Sequence, residues 1–168
     1  MSLTAPTGAT QTLSAGLLVF GLAATVGIAL GFEHIGGYLP CMLCLEQRTP
    51  YYIGVPLMLL ALLASWLKAP PLITRGLLLI GGALMLYGMA LGIYHSGVEW
   101  KWWEGPADCG AGAASQNLGG NLLDQLNAVI PPSCSEAAGR FLGLSFAGWN
   151  VLASALWAFV ALRAAFKR

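Results

Sequence analysis

The residues best suited to chemistry in this chain are four cysteines arranged as two pairs. Cys41 and Cys44 are separated by two residues in the segment CMLCLEQR, residues 41–48, whereas Cys109 and Cys134 are far apart in the sequence. If Cys44 opens a helix, the positive end of the helix dipole favours its thiolate, and Arg48 lies one turn further on the same face. Both effects make a sulfur attack or leave more easily, so the first pair is predicted to be a reactive dithiol or disulfide.

The composition places these cysteines in a membrane protein. Of the 168 residues, 57% are hydrophobic and only 9% are charged, with a mean hydropathy of +0.71. The hydrophobic fraction is higher and the charged fraction lower than in an ordinary soluble domain, which indicates one membrane-embedded domain. The net charge of +1 is dispersed, with no basic run interleaved with aromatic residues, so no nucleic-acid partner is expected.

The apolar segments predict an all-α membrane protein, a bundle of four transmembrane helices. Each is about 20 residues long, enough to cross the hydrocarbon core. Two loops on the same side join them, at about 33–48 and 95–140, and in the second Asn121 can cap a short interfacial helix. The four predicted spans are about 13–32, 49–67, 76–94 and 141–162.

Charge distribution predicts the orientation of the bundle. Every acid falls in the two cysteine-containing loops, whereas the connection with Lys68 and Arg75 and the C-terminal tail carry only basic residues. By the positive-inside rule, both termini are cytoplasmic and the cysteine loops are outside. In a bacterium this means the inner membrane, with the loops in the periplasm. The acids are Glu33, Glu46, Glu99, Glu104, Asp108, Asp124 and Glu136.

Disulfides are expected on that oxidising side. Four cysteines allow three pairings, of which Cys41 with Cys44 and Cys109 with Cys134 needs the least rearrangement of the chain. Stapling of the structure is the alternative to redox chemistry. A helix anchored in lipid, however, gains little from a disulfide across two residues at its own start.

The chain resembles the disulfide bond formation protein B (DsbB) family over almost its whole length. The resemblance rests on the four spans, the segment CMLCLEQR before the second span, the separated cysteine pair in the second loop, and the segments Tyr94-His95 and FLGL, residues 141–144. It is the combination of the Cys-x-x-Cys segment with this topology that makes the resemblance specific.

The resemblance implies a thiol:quinone oxidoreductase of periplasmic oxidative folding. Cys109 and Cys134 would accept electrons from a thioredoxin-fold oxidase of the DsbA type, and Cys41 and Cys44 would pass them to a membrane quinone, ubiquinone or menaquinone. The family's quinone-adjacent arginine falls on Arg48. His95 is expected near the quinone by position and by the family's pattern, or else to cap the third helix.

Three other interpretations stay open at this point. Cys41 and Cys44 could be the soft ligands of a metal carrier or sensor, although no histidine or methionine cluster lies beside them in the sequence. A quinone reductase of the vitamin K epoxide type would also use a reactive cysteine pair in a four-helix bundle. In those proteins, however, the active pair lies near the end of the bundle sequence, whereas here it precedes the second span. Arg48 could be an interfacial anchor, and Trp100, Trp102 and Trp103 an aromatic belt.

Overall fold

A computed structural model describes residues 6–106 and 133–167. The predicted interfacial helix at Asn121 and the cysteine Cys109 lie outside these ranges. Four long helices dominate the described residues, and all four are long and apolar enough to cross a membrane. They are α1 (Ala9–His34), α2 (Met42–Trp66), α3 (Pro71–Glu99) and α4 (Phe146–Phe166).

The helices form a four-helix bundle in chain order. α2 packs between α1 and α3, α3 makes its most extensive contacts with α4, and α4 closes the bundle against α1. The core is small and apolar, and large apolar side chains such as Phe20 and Phe159 remain exposed on the outside. This distribution suits a bundle whose outer surface contacts lipid. The buried core contains Ala15, Leu18, Leu22, Tyr51, Met58, Ala61, Leu78, Met85, Ala158, Ala161, Ala164 and Ala165.

Glycines of α3 allow the close approach of a neighbouring helix. A Cβ added to Gly82 would lie 2.7 Å from Leu162 Cδ2, and one added to Gly92 would lie 2.8 Å from Val151 Cγ2. Both contacts are with α4. Small residues at a helix crossing let the two backbones pack closely in a membrane, where van der Waals contact drives association.

The second helix begins earlier than predicted. α2 begins at Met42 rather than near Thr49, because Cys41 has extended backbone angles and its sulfur accepts a hydrogen bond from the Cys44 N–H, as an N-cap does. With this earlier start, Pro50 lies inside the helix, which continues through both Pro50 and Pro56. The cysteine motif is therefore part of α2.

The third helix extends past its predicted end and the fourth begins after its predicted start. α3 runs to Glu99, so His95 lies inside the helix and Trp100 is its C-cap. Before α4, the strands β1 (Arg140–Phe141) and β2 (Leu144–Ser145) pair antiparallel. Leu142 and Gly143 join them with φ of 52° and 84°, as a type I′ turn requires. Ser145 then caps α4 by accepting from the Gly148 N–H.

Candidate active site

The first cysteine pair lies at the start of α2, in the first turn of the helix. Cys41 and Cys44 are free thiols with their sulfur atoms 2.8 Å apart. The extended backbone at Cys41 turns its side chain back over the helix, which brings it to the third helical residue, Cys44. Two sulfurs this close can share one proton, or close to a disulfide when two electrons and two protons are removed.

The two sulfurs of this pair face different surroundings. Cys41 is 4% exposed and belongs to a buried cluster with Leu43, Val98 and Cys134. Cys44 borders that cluster and also lines a cavity between the helices. The pair therefore lies between the buried cluster and the cavity.

The second cysteine pair reaches the first through Cys134. Cys134 is disulfide-bonded and 1% exposed, and it packs in the same buried cluster as Cys41. Its predicted partner, Cys109, lies outside the described residues. Thus the described part of the chain brings one cysteine of the second loop against the motif at the start of α2.

Histidine and hydrogen-bond donors surround Cys41 rather than Cys44. Nε2 of His95 lies 3.7 Å from the Cys41 sulfur, and the Cys44 N–H donates to the same sulfur over 3.3 Å. The hydrogen bond from the Cys44 thiol, with His95 adding to it, outweighs burial and lowers the pKa of the Cys41 thiol to about 5. These hydrogen bonds favour a thiolate on Cys41, whereas the sequence favoured one on Cys44.

Arg48 forms an ion pair that the sequence did not predict. One of its guanidinium nitrogens donates to Glu33 at the end of α1, and the two side chains are 13% and 17% exposed. Both groups are thereby largely removed from solvent, because α1 and α2 approach closely here. Both residues line the cavity beside Cys44.

The cavity is mostly apolar and has a volume of about 490 Å³. It lies between α1, α2 and the start of α4, with the β1 strand and the loop before α2 contributing to its wall. Cys44, Gln47, Arg48 and Glu33 supply a polar border to an otherwise hydrophobic space. Its lining comprises Thr25, Val26, Ile28, Ala29, Phe32, Glu33, Tyr38, Leu39, Pro40, Cys44, Gln47, Arg48, Tyr51, Ala138, Phe141, Phe146, Ala147, Trp149, Asn150 and Ala153.

Comparison with known families bears directly on this arrangement. The family model for Disulfide bond formation protein DsbB matches residues 11–164, which include all four helices almost completely and both cysteine pairs. The chain belongs to the DsbB family.

Curated relatives of this DsbB-family chain also match it over most of its length. The Disulfide bond formation protein B of Methylococcus capsulatus is 31% identical over 77% of this chain and 79% of its own length. Those of Azoarcus sp. and Pasteurella multocida are 30% and 31% identical, covering 87% and 86% of this chain and 87% and 80% of their own lengths. No solved structure matches the chain. With its four apolar helices, this DsbB-family protein is a multi-pass membrane protein.

Two polar residues beside the motif, the buried Gln47 and the half-buried Asn150, escaped the sequence analysis of this DsbB-family protein. Asn150 of α4 donates from Nδ2 to Gln47 Oε1 over 2.7 Å, and Gln47 Nε2 lies 2.6 Å from Nδ1 of His95. Asn150 is a polar residue inside a predicted apolar span, which is itself a sign of function in membrane helices. That signal was available in the sequence.

Three potential metal ligands also meet in this DsbB-family site. One ligand atom from each of Cys41, Cys44 and His95 lies within 4.8 Å of the others. The sequence had shown no histidine beside the motif, because His95 arrives from α3. The hydrogen bonds around His95 decide whether its Nε2 can serve as a ligand.

Proposed function

We propose that this protein is a membrane thiol:quinone oxidoreductase that reoxidises a periplasmic thioredoxin-fold oxidase of the DsbA type. The observation that carries the proposal is the position of the Cys41–Cys44 pair. On one side Cys41 packs with the disulfide-bonded Cys134, and on the other Cys44 lines an apolar cavity. A dithiol in this position can receive electrons from a disulfide partner and deliver them to an apolar acceptor.

The transfer from the second loop is a series of thiol–disulfide exchanges. A thiolate of the reduced partner attacks Cys109 of a Cys109–Cys134 disulfide and releases Cys134 as a thiolate. Cys134 attacks Cys41 of an oxidised first pair, which breaks the bond to Cys44 and leaves Cys44 as a thiolate. The partner's second thiolate then breaks the mixed disulfide and leaves oxidised, freeing Cys109. Cys109 attacks Cys134 and releases Cys41.

These exchanges leave the first pair reduced and the second pair oxidised. The free Cys41 and Cys44 and the disulfide-bonded Cys134 correspond to that stage. Closing the Cys41 thiolate onto the Cys44 thiol from this stage releases two electrons and one proton, because Cys41 has already lost its proton. The low pKa of Cys41 supplies the attacking thiolate, and Cys44 is the sulfur that faces the acceptor side.

The residues of the cavity suit a quinone. An apolar space of about 490 Å³ falls within the usual size of small-molecule sites, and its polar groups are concentrated near Cys44. A bound quinone would supply an acceptor for two electrons and two protons. Arg48 would hold its ring oxygen by charge, in a site where little water competes.

The orientation of the chain supports a periplasmic site. The cysteine motif lies at the end of the bundle where α1 ends, whereas Lys68 and Arg75 lie at the opposite end. By the positive-inside rule, the latter end and both termini are cytoplasmic, and the cysteine loops face the periplasm of a bacterial inner membrane. A C-terminal alkaline phosphatase fusion is expected to be inactive, and a fusion within the second loop active.

The decisive experiment couples the purified protein to a reduced DsbA-type oxidase and a soluble quinone. Oxidation of the partner should require quinone and should be lost in Cys44→Ser and in Cys109→Ser. The two variants fail at different steps: Cys109→Ser blocks attack by the partner, whereas Cys44→Ser prevents the first pair from closing. Partner oxidation that fails with both ubiquinone and menaquinone analogues would contradict the proposal.

A soft-metal site is the second candidate, favoured by the meeting of Cys41, Cys44 and His95. Thiolates and imidazole suit zinc or copper(I). The protein purified under reducing conditions would then retain about one metal ion per chain after dialysis. Disulfide exchange predicts instead that the pair oxidises readily and retains none.

A further inference from the structure

The side chains of Gln47 and Asn150 form a partly buried hydrogen-bond chain that ends at His95. Tyr51 donates its hydroxyl proton to Asn150 Oδ1 over 2.8 Å, and Asn150 Nδ2 lies 3.3 Å from the Gly88 carbonyl oxygen. A backbone carbonyl can only accept a hydrogen bond. The amide of Asn150 is therefore oriented with its NH₂ group toward Gly88 and Gln47.

The same reasoning fixes the amide of Gln47. Its Oε1 accepts from Asn150 Nδ2, and its Nε2 donates to the Leu43 carbonyl oxygen over 3.2 Å. The remaining hydrogen of that NH₂ group is directed at Nδ1 of His95, 2.6 Å away. A neutral histidine whose Nδ1 accepts a hydrogen bond must carry its proton on Nε2.

Nε2 of His95 faces groups that accept hydrogen bonds. The Cys41 sulfur lies 3.7 Å away and Oε1 of Glu99 lies 3.9 Å away. The Glu99 side chain is 3% exposed, and its second oxygen has no hydrogen-bond partner among the described residues. Both acceptors are buried in the described structure, so neither is well placed to find a water in place of the histidine.

We propose that Gln47, held by Asn150, is a positioning residue that keeps His95 in the Nε2–H tautomer, so that the ring donates a hydrogen bond to the Cys41 sulfur. This goes beyond the proposed function, which assigns roles to the cysteines and Arg48. It rests on the exchange role of Cys41 in that function, but its tests need neither quinone nor partner. It also disfavours metal binding, since a protonated Nε2 has no lone pair for an ion.

Nitrogen-15 NMR of the reduced protein labelled at histidine measures the tautomer directly. The chain has two histidines, and His34 is exposed, so His34→Gln assigns the spectrum. We expect His95 to show a protonated Nε2 and an unprotonated Nδ1 at neutral pH. A proton on Nδ1, or a shift on addition of zinc that shows Nε2 bound to metal, would overturn the proposal.

The variant Gln47→Met tests the consequence for sulfur. Methionine keeps the length of the side chain but cannot donate to Nδ1, so both tautomers become populated and the donor to Cys41 is partly lost. We expect the alkylation rate of Cys41, followed by mass spectrometry of its peptide near pH 6, to fall about tenfold, as for loss of a hydrogen bond to a charged group.

Gln11→Met is the matched control. Gln11 is 2% exposed and its amide nitrogen donates to the carbonyl oxygens of Ala164 and Lys167, at the opposite end of the bundle. The same chemical change there should leave Cys41 alkylation within about twofold, because no hydrogen-bond donor to the Cys41 sulfur is lost. Equal effects of the two variants would contradict the proposal. If Gln47→Met fails to fold, the His95 tautomer measured by NMR in the wild-type protein still tests the proposal.

The pH profile separates positioning from packing. The groups that titrate or carry charge around Cys41 and His95 are Cys44, Glu99 and Arg48 with its partner Glu33, whereas the disulfide-bonded Cys134 does not titrate. All of them are retained in Gln47→Met. Loss of a donor should move the alkylation profile of Cys41 to higher pH, whereas loosened packing alone should change its plateau and leave its midpoint in place.

Discussion

At the scale of single residues, the site depends on the different surroundings of two neighbouring sulfurs. Cys41 receives hydrogen bonds and lies against Cys134, while Cys44 reaches the cavity. A pair with equivalent sulfurs could exchange at either one. Here the order of attack in the proposed relay follows from which sulfur each neighbour can reach.

The reactivity of Cys41 should depend on pH in a way that reports its hydrogen bonds. The thiolate fraction rises with pH, so alkylation should increase through about pH 5 and level off above it. Cys44→Ala removes the largest cause of the lowered pKa, and the midpoint should then move upward. Alkylation of peptide 41–48 at a series of pH values measures both. The unfolded protein, in which the midpoint of cysteine alkylation should lie at about pH 8.5, is the reference.

Arg48 is expected to act on the acceptor rather than on stability. Arg48→Met keeps most of the side-chain volume and removes the charge, so the quinone KM should rise by about tenfold or more, as for loss of one ion–dipole contact in a low-dielectric site. Steady-state kinetics with a soluble quinone measures it. Arg140→Met removes an exposed arginine at the same end of the bundle. Similar, small effects in both variants would favour a lipid anchor.

At the scale of helices, the spans could be predicted from hydropathy but their ends could not. Runs of apolar residues are sufficient to locate four helices, whereas the start of α2 depends on the backbone and sulfur of Cys41, which no hydropathy pattern records. Thr49-Pro50 resembled a helix start because proline is common at the first helical position. In the bundle, Pro50 is buried beside Gly88.

Side-chain partners from different helices were also beyond prediction. The sequence supplied Arg48 and His95 as candidates, yet the partner of Arg48 comes from the end of α1 and that of His95 from α2. Such pairs depend on how the helices rotate against each other, which many sequences of the same hydropathy could satisfy differently. The cysteines needed no such knowledge, because their spacing and topology identify them.

The contact between α3 and α4 should be sensitive to one methyl group. In Gly92→Ala the new Cβ would lie 2.8 Å from Val151 Cγ2 and 3.3 Å from the Ala147 carbonyl oxygen, so the helices must separate. We expect the free energy of unfolding in mixed micelles to fall by about 1 to 3 kcal/mol.

Gly76→Ala is the control for that change within the same helix. A Cβ at Gly76 meets no atom within 4 Å, so the substitution should be neutral or stabilising. Equal losses in the two variants would show that contact with α4 does not account for the result.

At the scale of the whole molecule, the two ends of the bundle are closed by different means. The sulfur end has the cysteine cluster and the short β1–β2 hairpin. At the other end the buried Arg75 of α3 donates to the carbonyl oxygens of Ala165, within the last turn of α4, and Lys167, just beyond it. It also donates to the carbonyl oxygen of Pro6, before α1. One cation therefore joins three separate parts of the chain.

Arg75→Met should loosen that end without altering the chemistry. Arg75 is fully buried, and its removal takes a charged donor from the carbonyl oxygens of Ala165 and Lys167, of which only Lys167 also accepts from Gln11. The loss should lower the free energy of unfolding by about 2 to 4 kcal/mol. Lys68→Gln, at an exposed position of the same end, is the control. Unfolding in mixed micelles measures both, and alkylation of Cys41 in the folded protein should be unchanged.

The burial of Cys41 and Cys134 should also limit side reactions of the proposed relay with thiols in solution. With 4% and 1% of their surfaces exposed, both sulfurs should react more slowly with a bulky thiol such as glutathione than with a small alkylating reagent. Electrons should then enter mainly from a protein that engages the second loop. The oxidising power of the membrane acceptor would thus be reserved for one kind of donor, and the surrounding thiols would not be consumed by it.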